Sequence, residues 1–339
     1  MDLPYVSVVA INRNGRHFLE ACLSSLQAQT YPDYEIILVD NASTDDSVRF
    51  IESRFPGVSI IKNETNLGFA GINRGILVAE GKYVAIINHD TRVDSNWPKA
   101  LVEVAESSAE IGMCAPKILS LRDPSLIESV GLAIYPDGMA RMRGWLEKDV
   151  GQYDEVQEIL LPSGCAALYR KEMLDKVGLL DEDFFAYCED VDLGLRGRLA
   201  GWKAVLAPSA VVYHHYSGYA GGYSPLKAFL VERNHLWVAL KNFPVRILLL
   251  VPLYALWRHC LQLYAALAHR GSVGQFLKGA SAVEGVLILV KAYLAAAWGI
   301  PRMLRKRRKI QAKKRVSEAE IAEWFKRYQL GAWQLVFTE

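Results

Sequence analysis

The sequence predicts an α/β fold in which a mostly parallel β-sheet is flanked by helices. Apolar runs of strand length alternate with helical patterns over about residues 1–110. Each run is apolar at successive positions, which indicates strands that are buried on both faces. Alternating strands and helices of this kind build a parallel sheet that is covered on both sides.

The first part of the chain supplies this sheet in order. The predicted strands are residues 5–11, 34–40, 58–61 and 82–88. Helical patterns separate them, with an apolar face at residues 18–26, a second helix after the Ser and Asp capping candidates of 41–47, and a third from about 67 to 79.

The rest of the chain divides into a mixed part and a helical part. Between residues 111 and 215, short strand candidates are broken by loops that contain Pro and Gly, and one clear helix starts near Asp190. The short strands are expected at 111–119, 203–208 and 210–214. After Ser224 the sequence is helical and apolar almost to its end, so we expect a second region there.

Composition narrows the class of protein. A chain of 339 residues with 51% hydrophobic content can bury a sizeable core. The five cysteines are odd in number, far apart and outside CxxC spacing, so we expect free thiols in a reducing compartment and no disulfide framework or zinc site. The N-terminal stretch lacks the regions of a signal peptide. These features predict a cytoplasmic protein unless another segment holds it to a membrane.

Polar residues gather where the predicted strands end. Asn12 and Arg13 follow the first strand, Asp40 and Asn41 follow the second, and Asn88-His89-Asp90 ends the fourth. Ligands of open α/β sheets bind at the carboxyl ends of the strands. Each of these residues could instead serve only a turn. Dinucleotide binding is disfavoured because no GxGxxG follows the first strand, and no P-loop lysine motif is present.

Several motifs agree in order and spacing with a known family. They are "VSVVAINRNG", "EIILVDNASTDDS", "NLGFAGINRGI", "GKYVAIINHDTRV" and "LPSGCAALYRKEMLDKVGLLDEDFFAYCEDVDLGLRGRLAGWK". The chain resembles the inverting family 2 glycosyltransferases of GT-A fold, most closely their rhamnosyltransferase-like branch, over about residues 5–240. The resemblance implies a catalytic domain at residues 1–223, with a nucleotide-sugar half at about 1–110 and an acceptor half at about 111–223.

The resemblance also implies a site for a nucleotide-sugar donor. Asp40 is expected to contact the base or ribose, with the loop 41–45 beside it. Other expected donor contacts are Asn12, Arg13, Asn41, Asn66, Asn73, Asn88, Asp90 and Arg233. Arg233 suits a diphosphate because of its guanidinium geometry, although a salt bridge on a helix surface is an alternative.

A divalent cation is expected beside the donor. Asn88-His89-Asp90 occupies the position of the family's Asp-x-Asp, so Asp90 and Asn88 are the implied metal ligands. An amide at Asn88 is a weaker ligand than the carboxylate that the family keeps there. His214, which ends a strand before the Gly-rich stretch 217–224, is the third candidate, with a structural role as the alternative. Oxygen ligands with a diphosphate suit Mg²⁺ or Mn²⁺.

Three acids lie close together at a predicted helix start. Glu189, Asp190 and Asp192 repel one another, which raises at least one pKa as a general base requires. Acids there could also serve only the helix dipole. The resemblance implies that Asp190 is the base, with Glu189 and Asp192 orienting the acceptor or the helix. Glu189 is the other candidate for the base. Gly164 is expected to border the acceptor pocket.

The C-terminal region, residues 224–339, is expected to lie at a membrane surface. Residues 245–268 and 276–300 are strongly apolar, but charged residues interrupt both, so neither is a convincing spanning helix. Interspersed aromatic residues fit helices in the membrane interface. Residues 302–315 carry nine Lys or Arg and no acid, which would attract anionic lipid. Packing on the catalytic domain, or on a second copy as a homodimer, is the alternative; no pattern favours nucleic acid.

The sequence therefore predicts a metal-dependent inverting glycosyltransferase on the cytoplasmic face of the cell membrane. The donor would be a UDP- or dTDP-sugar, including dTDP-rhamnose, and the acceptor a hydroxyl of a growing cell-surface or lipid-linked glycan. Two alternatives stay open. One is another nucleotide-sugar enzyme, such as a nucleotidyltransferase. The other is a membrane-associated glycan-binding or scaffold protein with a degenerate metal site.

Overall fold

The computed structural model describes residues 5–215 and 224–338. The chain divides into two compact units. The first unit is Met1–Leu132 with Met142–Tyr219, and the second is Ala133–Arg141 with Ala220–Glu339. The sequence did not predict that the short segment Ala133–Arg141 belongs with the C-terminal helices.

The strands number twelve in the described residues. They are β1 Val6–Asn12, β2 Tyr34–Asp40, β3 Ser59–Lys62, β4 Tyr83–Asn88, β5 Thr91–Val93, β6 Ile111–Ser120, β7 Ile127–Ser129, β8 Leu132–Ile134, β9 Ala140–Met142, β10 Gln157–Ile159, β11 Ala166–Arg170 and β12 Lys203–His214. Ten of them form the sheet of the first unit, in the order β10-β12-β6-β11-β4-β1-β2-β3, with β5 beside β12 and β7 beside β6. β8 and β9 pair separately.

Helices cover the sheet of the first unit and make up most of the second. Those of the first unit are α1 Arg16–Gln27, α2 Ser47–Arg54, α3 Asn73–Val78, α4 Trp97–Glu106, α5 Lys171–Val177 and α6 Glu189–Leu199, with 3-10 turns at Phe69–Ile72 and Glu182–Phe184. Those of the second are α7 Pro225–Asn242, α8 Val245–Leu248, α9 Val251–Leu267, α10 Gly271–Leu277, α11 Ala282–Ala312, α12 Glu318–Arg327 and α13 Ala332–Phe337.

The predicted parallel sheet is present, and it has an antiparallel extension. β1 pairs in parallel with β2 and with β4, and β2 pairs in parallel with β3. All seven residues of β1 are buried, as strands covered on both faces require. β11 runs antiparallel between β4 and β6, and so joins the strands that follow residue 111 to the same sheet.

Two elements differ in detail from the sequence prediction. The helix expected at 67–79 begins as a 3-10 turn at Phe69–Ile72 and continues as α3. The two short strands expected at 203–208 and 210–214 form the single strand β12, whose register shifts between Ala207 and Val211. The bulge replaces the break that Pro208 predicted, because a strand accommodates proline at such irregularities.

The second unit is organised around a buried arginine. Arg258 on α9 donates to Asp137 Oδ2 at 2.6 Å and to the two carboxylate oxygens of Glu232 at 2.8 and 3.0 Å. Asp137 lies in Ala133–Arg141, so this ion pair explains why that segment belongs with the C-terminal helices. Such bidentate pairs are among the stronger hydrogen bonds of proteins.

One helix of the described residues is, by length and composition alone, long and apolar enough to cross a membrane. It is α11, whose most apolar stretch is only 11% buried within the chain. The sequence predicted a helix in the membrane interface here, and not a spanning one, because Glu284 and Lys291 interrupt the apolar stretch.

The close approach of Gly81 to strand β1 generates a stability prediction. A Cβ at Gly81 would lie 2.6 Å from the backbone nitrogen of Ser7 and 2.8 Å from the carbonyl oxygen of Tyr5. Backbone atoms of a central strand cannot move aside, so Gly81→Ala should lower the free energy of unfolding by about 2–3 kcal/mol. Urea unfolding followed by circular dichroism measures it.

The matched control is Gly57→Ala, because nothing lies within 4 Å of a Cβ at Gly57. It should stay within about 0.5 kcal/mol of the wild type. Equal stability of the two variants would contradict the packing of residues 79–83 against β1.

Candidate active site

Three polar strand ends lie together at one edge of the sheet. Asn12 is the register partner of Asp40, and Ile11 is the register partner of Asn88. Because β4, β1 and β2 are neighbours and parallel, the residues that follow them emerge on the same side. The structure thus brings together the residues that the sequence placed at these ends.

Asn12 and Asp40 hold each other at this edge. The Asn12 amide donates to Asp40 Oδ1 and to Ser43 Oγ, both at 3.1 Å, and the Ser43 N–H donates to Asp40 Oδ2 at 3.0 Å. Both side chains are buried. Arg13 donates to the Asn41 carbonyl at 3.2 Å. These bonds fix the turn after β2, where a ligand's polar groups would meet an ordered carboxylate.

Asn41 organises the neighbouring loop. Its amide nitrogen donates to Asn66 Oδ1 at 2.9 Å and to the Gly68 carbonyl at 2.8 Å, and its oxygen accepts from the Leu67 N–H at 3.0 Å. Asn63 also donates to that oxygen. Asn41 and Asn66 therefore shape the wall of the site, and their predicted donor contacts stay predictions.

Two other residues that were predicted to contact the nucleotide-sugar donor lie in different surroundings. The amide of Asn73 donates to the Leu180 carbonyl at 2.8 Å and accepts from the Leu180 N–H at 3.2 Å, so both of its polar ends serve to hold α3 in place. We therefore do not include Asn73 in the proposed site. Arg233 belongs to the second unit, where its guanidinium lies 4.3 Å from the ring centroid of Trp237. Its predicted role at the diphosphate stays a prediction.

Asp90 lies beside His214 in the buried part of the site. The Oδ1 of Asp90 is 3.3 Å from the Nε2 of His214, and both side chains are buried. Burial by itself would raise the pKa of Asp90, but His214 and His89 lower it below its ordinary value. The intervening His89 turns its Nδ1 toward the Ile11 carbonyl at 3.1 Å, and burial lowers its pKa. His89 therefore holds the end of β1 through its ring nitrogen.

His214 contacts two further residues that the sequence reading missed. Its Nδ1 is 2.5 Å from Glu128 Oε1, and the side chains of Glu128, Cys165 and His214 place ligand atoms within 4.8 Å of one another. Burial would lower the pKa of His214, but Cys165, Asp90 and Glu128 raise it well above its usual range. Glu128 Oε2 is buried without a hydrogen-bond partner among the described residues.

These residues fit a divalent cation. Two neighbouring ligands of a six-coordinate cation with bonds of about 2.1 Å are about 3 Å apart, which is close to the separation of Asp90 Oδ1 from His214 Nε2. Two buried carboxylates, Asp90 and Glu128, face a single histidine here, so negative charge is in excess and a cation would neutralise it. Asp90 and His214 could hold such an ion, and Asn88 could add an amide oxygen.

Asp190 is positioned by a backbone hydrogen bond from the predicted acceptor side. The Gly164 N–H donates to Asp190 Oδ2 at 2.8 Å, and the Val191 N–H donates to Oδ1 at 2.8 Å. A Cβ at Gly164 would lie 3.1 Å from the same carboxylate, so glycine allows this approach. Burial raises the pKa of Asp190, while the two N–H groups oppose the rise.

The other two acids of the cluster have different roles. Glu189 is buried, and burial together with the charge of Asp190 raises its pKa well above the ordinary value. Asp192 is fully buried and accepts from Arg196 Nε at 2.8 Å. Arg196 in turn donates to the carbonyls of Val177, Gly178 and Leu179. Of the two roles predicted for Asp192, this network favours orienting helix α6.

The backbone before these acids is strained. Phe185, Tyr187 and Cys188 all have positive φ angles of 66–67°, which residues other than glycine rarely adopt. The Phe185 carbonyl accepts from the Phe69 N–H, so this loop is tied to the 3-10 turn beside the Asn41 network. Strained backbone of this kind clusters at functional sites.

Comparison with known proteins agrees with this geometry. The sequence model of the family "Glycosyl transferase family 2" matches residues 6–178, which are just over half of the chain. The chain is thus a glycosyltransferase, and it belongs to glycosyl transferase family 2. The resemblance expected from the motifs is confirmed.

Curated relatives carry related names. An N-acetylglucosaminyl-diphospho-decaprenol L-rhamnosyltransferase of Mycobacterium tuberculosis is 29% identical over 270 residues, which cover 68% of this chain and 85% of the relative. This likeness supports the rhamnosyltransferase-like branch of the family.

Solved structures confirm the expected GT-A fold. S. aureus TarS 1-349 in complex with UDP has a TM-score of 0.54 at 17% identity, over 94% of this chain and 91% of that one. GalNAc-T7 with UDP, GalNAc and Mn²⁺ has a TM-score of 0.59 at 19% identity, over 71% of this chain and 48% of that one.

The buried Asp192–Arg196 pair predicts a structural phenotype. Asp192→Ala would leave the Arg196 guanidinium buried without its carboxylate, which should cost about 3–5 kcal/mol of unfolding free energy. Urea unfolding measures the loss.

Glu172→Ala is the matched control, because it removes an exposed pair with Lys176 at the same four-residue spacing, 2.6 Å long. Exposed pairs contribute less than about 1 kcal/mol. If Asp192→Ala were as stable as the control, Asp192 would not anchor the helix and the role of orienting an acceptor would regain support.

Proposed function

We propose that this glycosyltransferase moves a sugar from a nucleoside-diphosphate donor to a hydroxyl group of a glycan acceptor, with inversion at the sugar carbon. Asp190 acts as the general base. Asp90, His214 and Asn88 hold a divalent cation, Mg²⁺ or Mn²⁺, which would neutralise charge on the departing nucleoside diphosphate. The complex of TarS with UDP and the structure of GalNAc-T7 with UDP, GalNAc and Mn²⁺ support this donor class.

The observation that carries the proposal is the dipeptide Gly164–Cys165. The Cys165 carbonyl accepts from the Asn88 N–H at 2.9 Å, while the Gly164 N–H donates to Asp190 at 2.8 Å. Two adjacent residues therefore fix the predicted base next to the strand that ends in the predicted metal ligands. Inversion needs this proximity, because the base takes the proton of a hydroxyl that attacks a donor held beside it.

The surroundings of Asp190 suit a general base. Burial raises the pKa of its carboxyl, so the carboxylate is a better proton acceptor than an exposed aspartate. The hydrogen bonds from the Gly164 and Val191 N–H groups oppose this rise because they stabilise the charged form, which is the form that a base needs. Glu189 is less suited to this role because burial and its neighbour favour its protonated form.

The proposed acceptor is a growing cell-surface or lipid-linked glycan, and the proposed location is the cytoplasmic face of the membrane. The Mycobacterium tuberculosis relative, whose name contains a decaprenol-linked acceptor and rhamnose, supports this class and makes dTDP-rhamnose the first donor to test. A lipid-linked sugar presents its head at the bilayer surface, so the enzyme must work there.

Helix α9 offers an apolar surface that suits such a location. Six of its large apolar side chains are more than half exposed and recur at helical spacing along one face. They are Leu253, Leu256, Trp257, Leu263, Tyr264 and Leu267. Arg258 interrupts this stretch only in sequence, because its side chain is buried against Asp137 and Glu232. The outer face is thus apolar, as in helices that lie in the membrane interface.

Helix α11 combines a similar face with positive charge. Val283, Leu287, Val290, Leu294 and Trp298 are exposed at helical spacing, and the basic segment 302–315 begins on the same helix and extends three residues beyond its end. Apolar and basic surfaces in succession match the acyl and headgroup layers of an anionic bilayer. This complementarity favours a membrane over a second copy of the chain.

If Asp190 is the general base, its replacement should slow sugar transfer and leave donor binding nearly unchanged. Asp190→Asn keeps the shape and the acceptor atom for Gly164 but removes the basic carboxylate, so the transfer rate should fall by at least about 10²-fold. Donor binding with Mn²⁺, followed as a thermal shift, should stay within about threefold of the wild type. Asp175→Asn, on the exposed surface of α5, is the control and should retain full activity.

Two outcomes would overturn this assignment. Full transfer by Asp190→Asn would exclude Asp190 as the base. Release of pyrophosphate instead of nucleoside diphosphate by the wild type would identify a nucleotidyltransferase.

The membrane assignment predicts charge-dependent vesicle binding. Arg305, Arg308 and Lys309 are exposed on α11, and each basic residue near an anionic surface contributes about 1 kcal/mol. Changing all three to Gln should weaken co-sedimentation with phosphatidylglycerol vesicles about 100-fold. Changing Arg49, Arg54 and Lys99 of the first unit to Gln removes the same charge and should have little effect.

A wild type that stays in the supernatant with anionic vesicles would contradict the membrane assignment. If it also sedimented as a dimer that Leu253→Glu dissociates, the exposed face of α9 would be a subunit interface instead.

A further inference from the structure

We propose that Glu128 is a positioning residue that orients His214 toward the metal ligand Asp90. The inference rests on the proposed function, because it concerns the cation site of that reaction. It assigns a role to a residue outside the family motifs that the sequence reading used.

The fold brings Glu128 to this place from a distant part of the sequence. β7, which contains Glu128, pairs with β6 through Ile118–Ser129 and Leu119–Ile127. β6 also pairs with β12, where Ser120 is the register partner of His214. Glu128 therefore reaches His214 across the shared neighbour β6, and the register of both pairs fixes their separation.

Backbone pairing also holds His214 close to the proposed metal ligand Asp90. His214 is the register partner of Thr91 on β5, and the N–H of His215 donates to the Asp90 carbonyl at 2.9 Å. The imidazole thus lies between two carboxylates, with Nδ1 at 2.5 Å from Glu128 and Nε2 at 3.3 Å from Asp90.

This geometry fixes the role of each ring nitrogen of His214. A carboxylate only accepts hydrogen bonds, so without a cation both Nδ1, which faces Glu128 Oε1, and Nε2, which faces Asp90 Oδ1, carry protons. A cation held by Asp90 and His214 would take the place of the proton on Nε2, while Nδ1 would still donate to Glu128 Oε1. Histidine ligands of metals usually donate their second N–H to a carboxylate in this way, which fixes the ring and increases its basicity as a ligand.

The burial of Glu128 shows that its carboxylate is not simply exposed to solvent. Glu128 is 3% exposed and lies between the fully buried Ile127 and Ser129. A buried carboxylate costs several kcal/mol unless hydrogen bonds or charges compensate it. Among the described residues, the polar group that contacts Glu128 Oε1 is the imidazole of His214. The interaction with His214 therefore offsets the free-energy cost of burying the Glu128 carboxylate.

The experiment measures Mn²⁺ binding to the full chain, with the metal alone as probe. The electron paramagnetic resonance signal of free Mn²⁺ gives the Kd without requiring turnover. Glu128→Ala should weaken binding about 10-fold or more, in the range seen when partners of metal ligands are removed. Glu128→Gln still accepts the Nδ1 proton and should stay within about threefold of the wild type.

A double-mutant cycle tests whether Glu128 acts through His214. If it does, Glu128→Ala should add little to the loss already caused by His214→Ala. Glu158→Ala is the matched control, because it removes a glutamate from another strand of the same sheet, where its carboxylate accepts from Arg198 at 2.6 Å and takes no part in the proposed cation site. It should bind Mn²⁺ like the wild type, and melting of the metal-free variants shows whether each is folded.

The outcomes separate this inference from the proposed function. Wild-type Mn²⁺ binding that Asp90→Asn leaves unchanged would contradict the metal site itself. Binding that depends on Asp90 but is unchanged in folded Glu128→Ala would overturn only the role of Glu128. An equal loss in Glu128→Gln and Glu128→Ala would also overturn it, because Glu128 would then be a direct ligand.

Discussion

The pair of hydrogen bonds made by Gly164 and Cys165 is the constraint on which the candidate site depends. The Cys165 carbonyl holds the end of β4, and the Gly164 N–H holds Asp190 at the start of α6. The parallel sheet provides an edge where Asn12, Asp40 and Asn88 emerge together. The antiparallel strand β11 then brings the acid cluster to that edge. Without β11 between β4 and β6, the two halves of the first unit would present separate polar groups instead of one site.

Electrostatics explains why the buried part of the site can tolerate so much negative charge. Asp90 and Glu128 are both buried, and His214 lies between them. Positive charge in that position lowers the cost of burying two carboxylates. A bound divalent cation would compensate the carboxylates in the same way, and it would also compensate the negative charge of the donor diphosphate. The acids of α6 are organised differently, because Asp192 is paired with Arg196 while Asp190 accepts from the N–H groups of Gly164 and Val191.

Much of the fold and part of the site could be predicted from the sequence. Strands β1, β2 and β4 could be predicted because a strand buried on both faces has a continuous apolar run. β3 was predicted from a similar run, but it lies at the edge of the sheet and none of its residues is buried. Asp40, Asn88 and Asp90 stood out as polar residues that end such runs. Glu128 did carry a signal, since it is a lone acid between residues of an apolar segment. That signal could not identify its partner, because His214 is 86 residues away and meets it only through the pairing of β7, β6 and β12. The same limit applies to Asn73, whose partner Leu180 is 107 residues distant.

The measurement that tests the central claim most directly is the anomeric configuration of the product. A base at Asp190 that activates the acceptor for direct attack on the donor sugar requires a single displacement. One- and two-dimensional NMR of the glycan product, made by the wild type from a nucleotide sugar of known configuration, reads this out. With Asp190 as the base, the product linkage should have the opposite configuration to the donor. A linkage of the same configuration would contradict single displacement, and with it the role of Asp190 as the base.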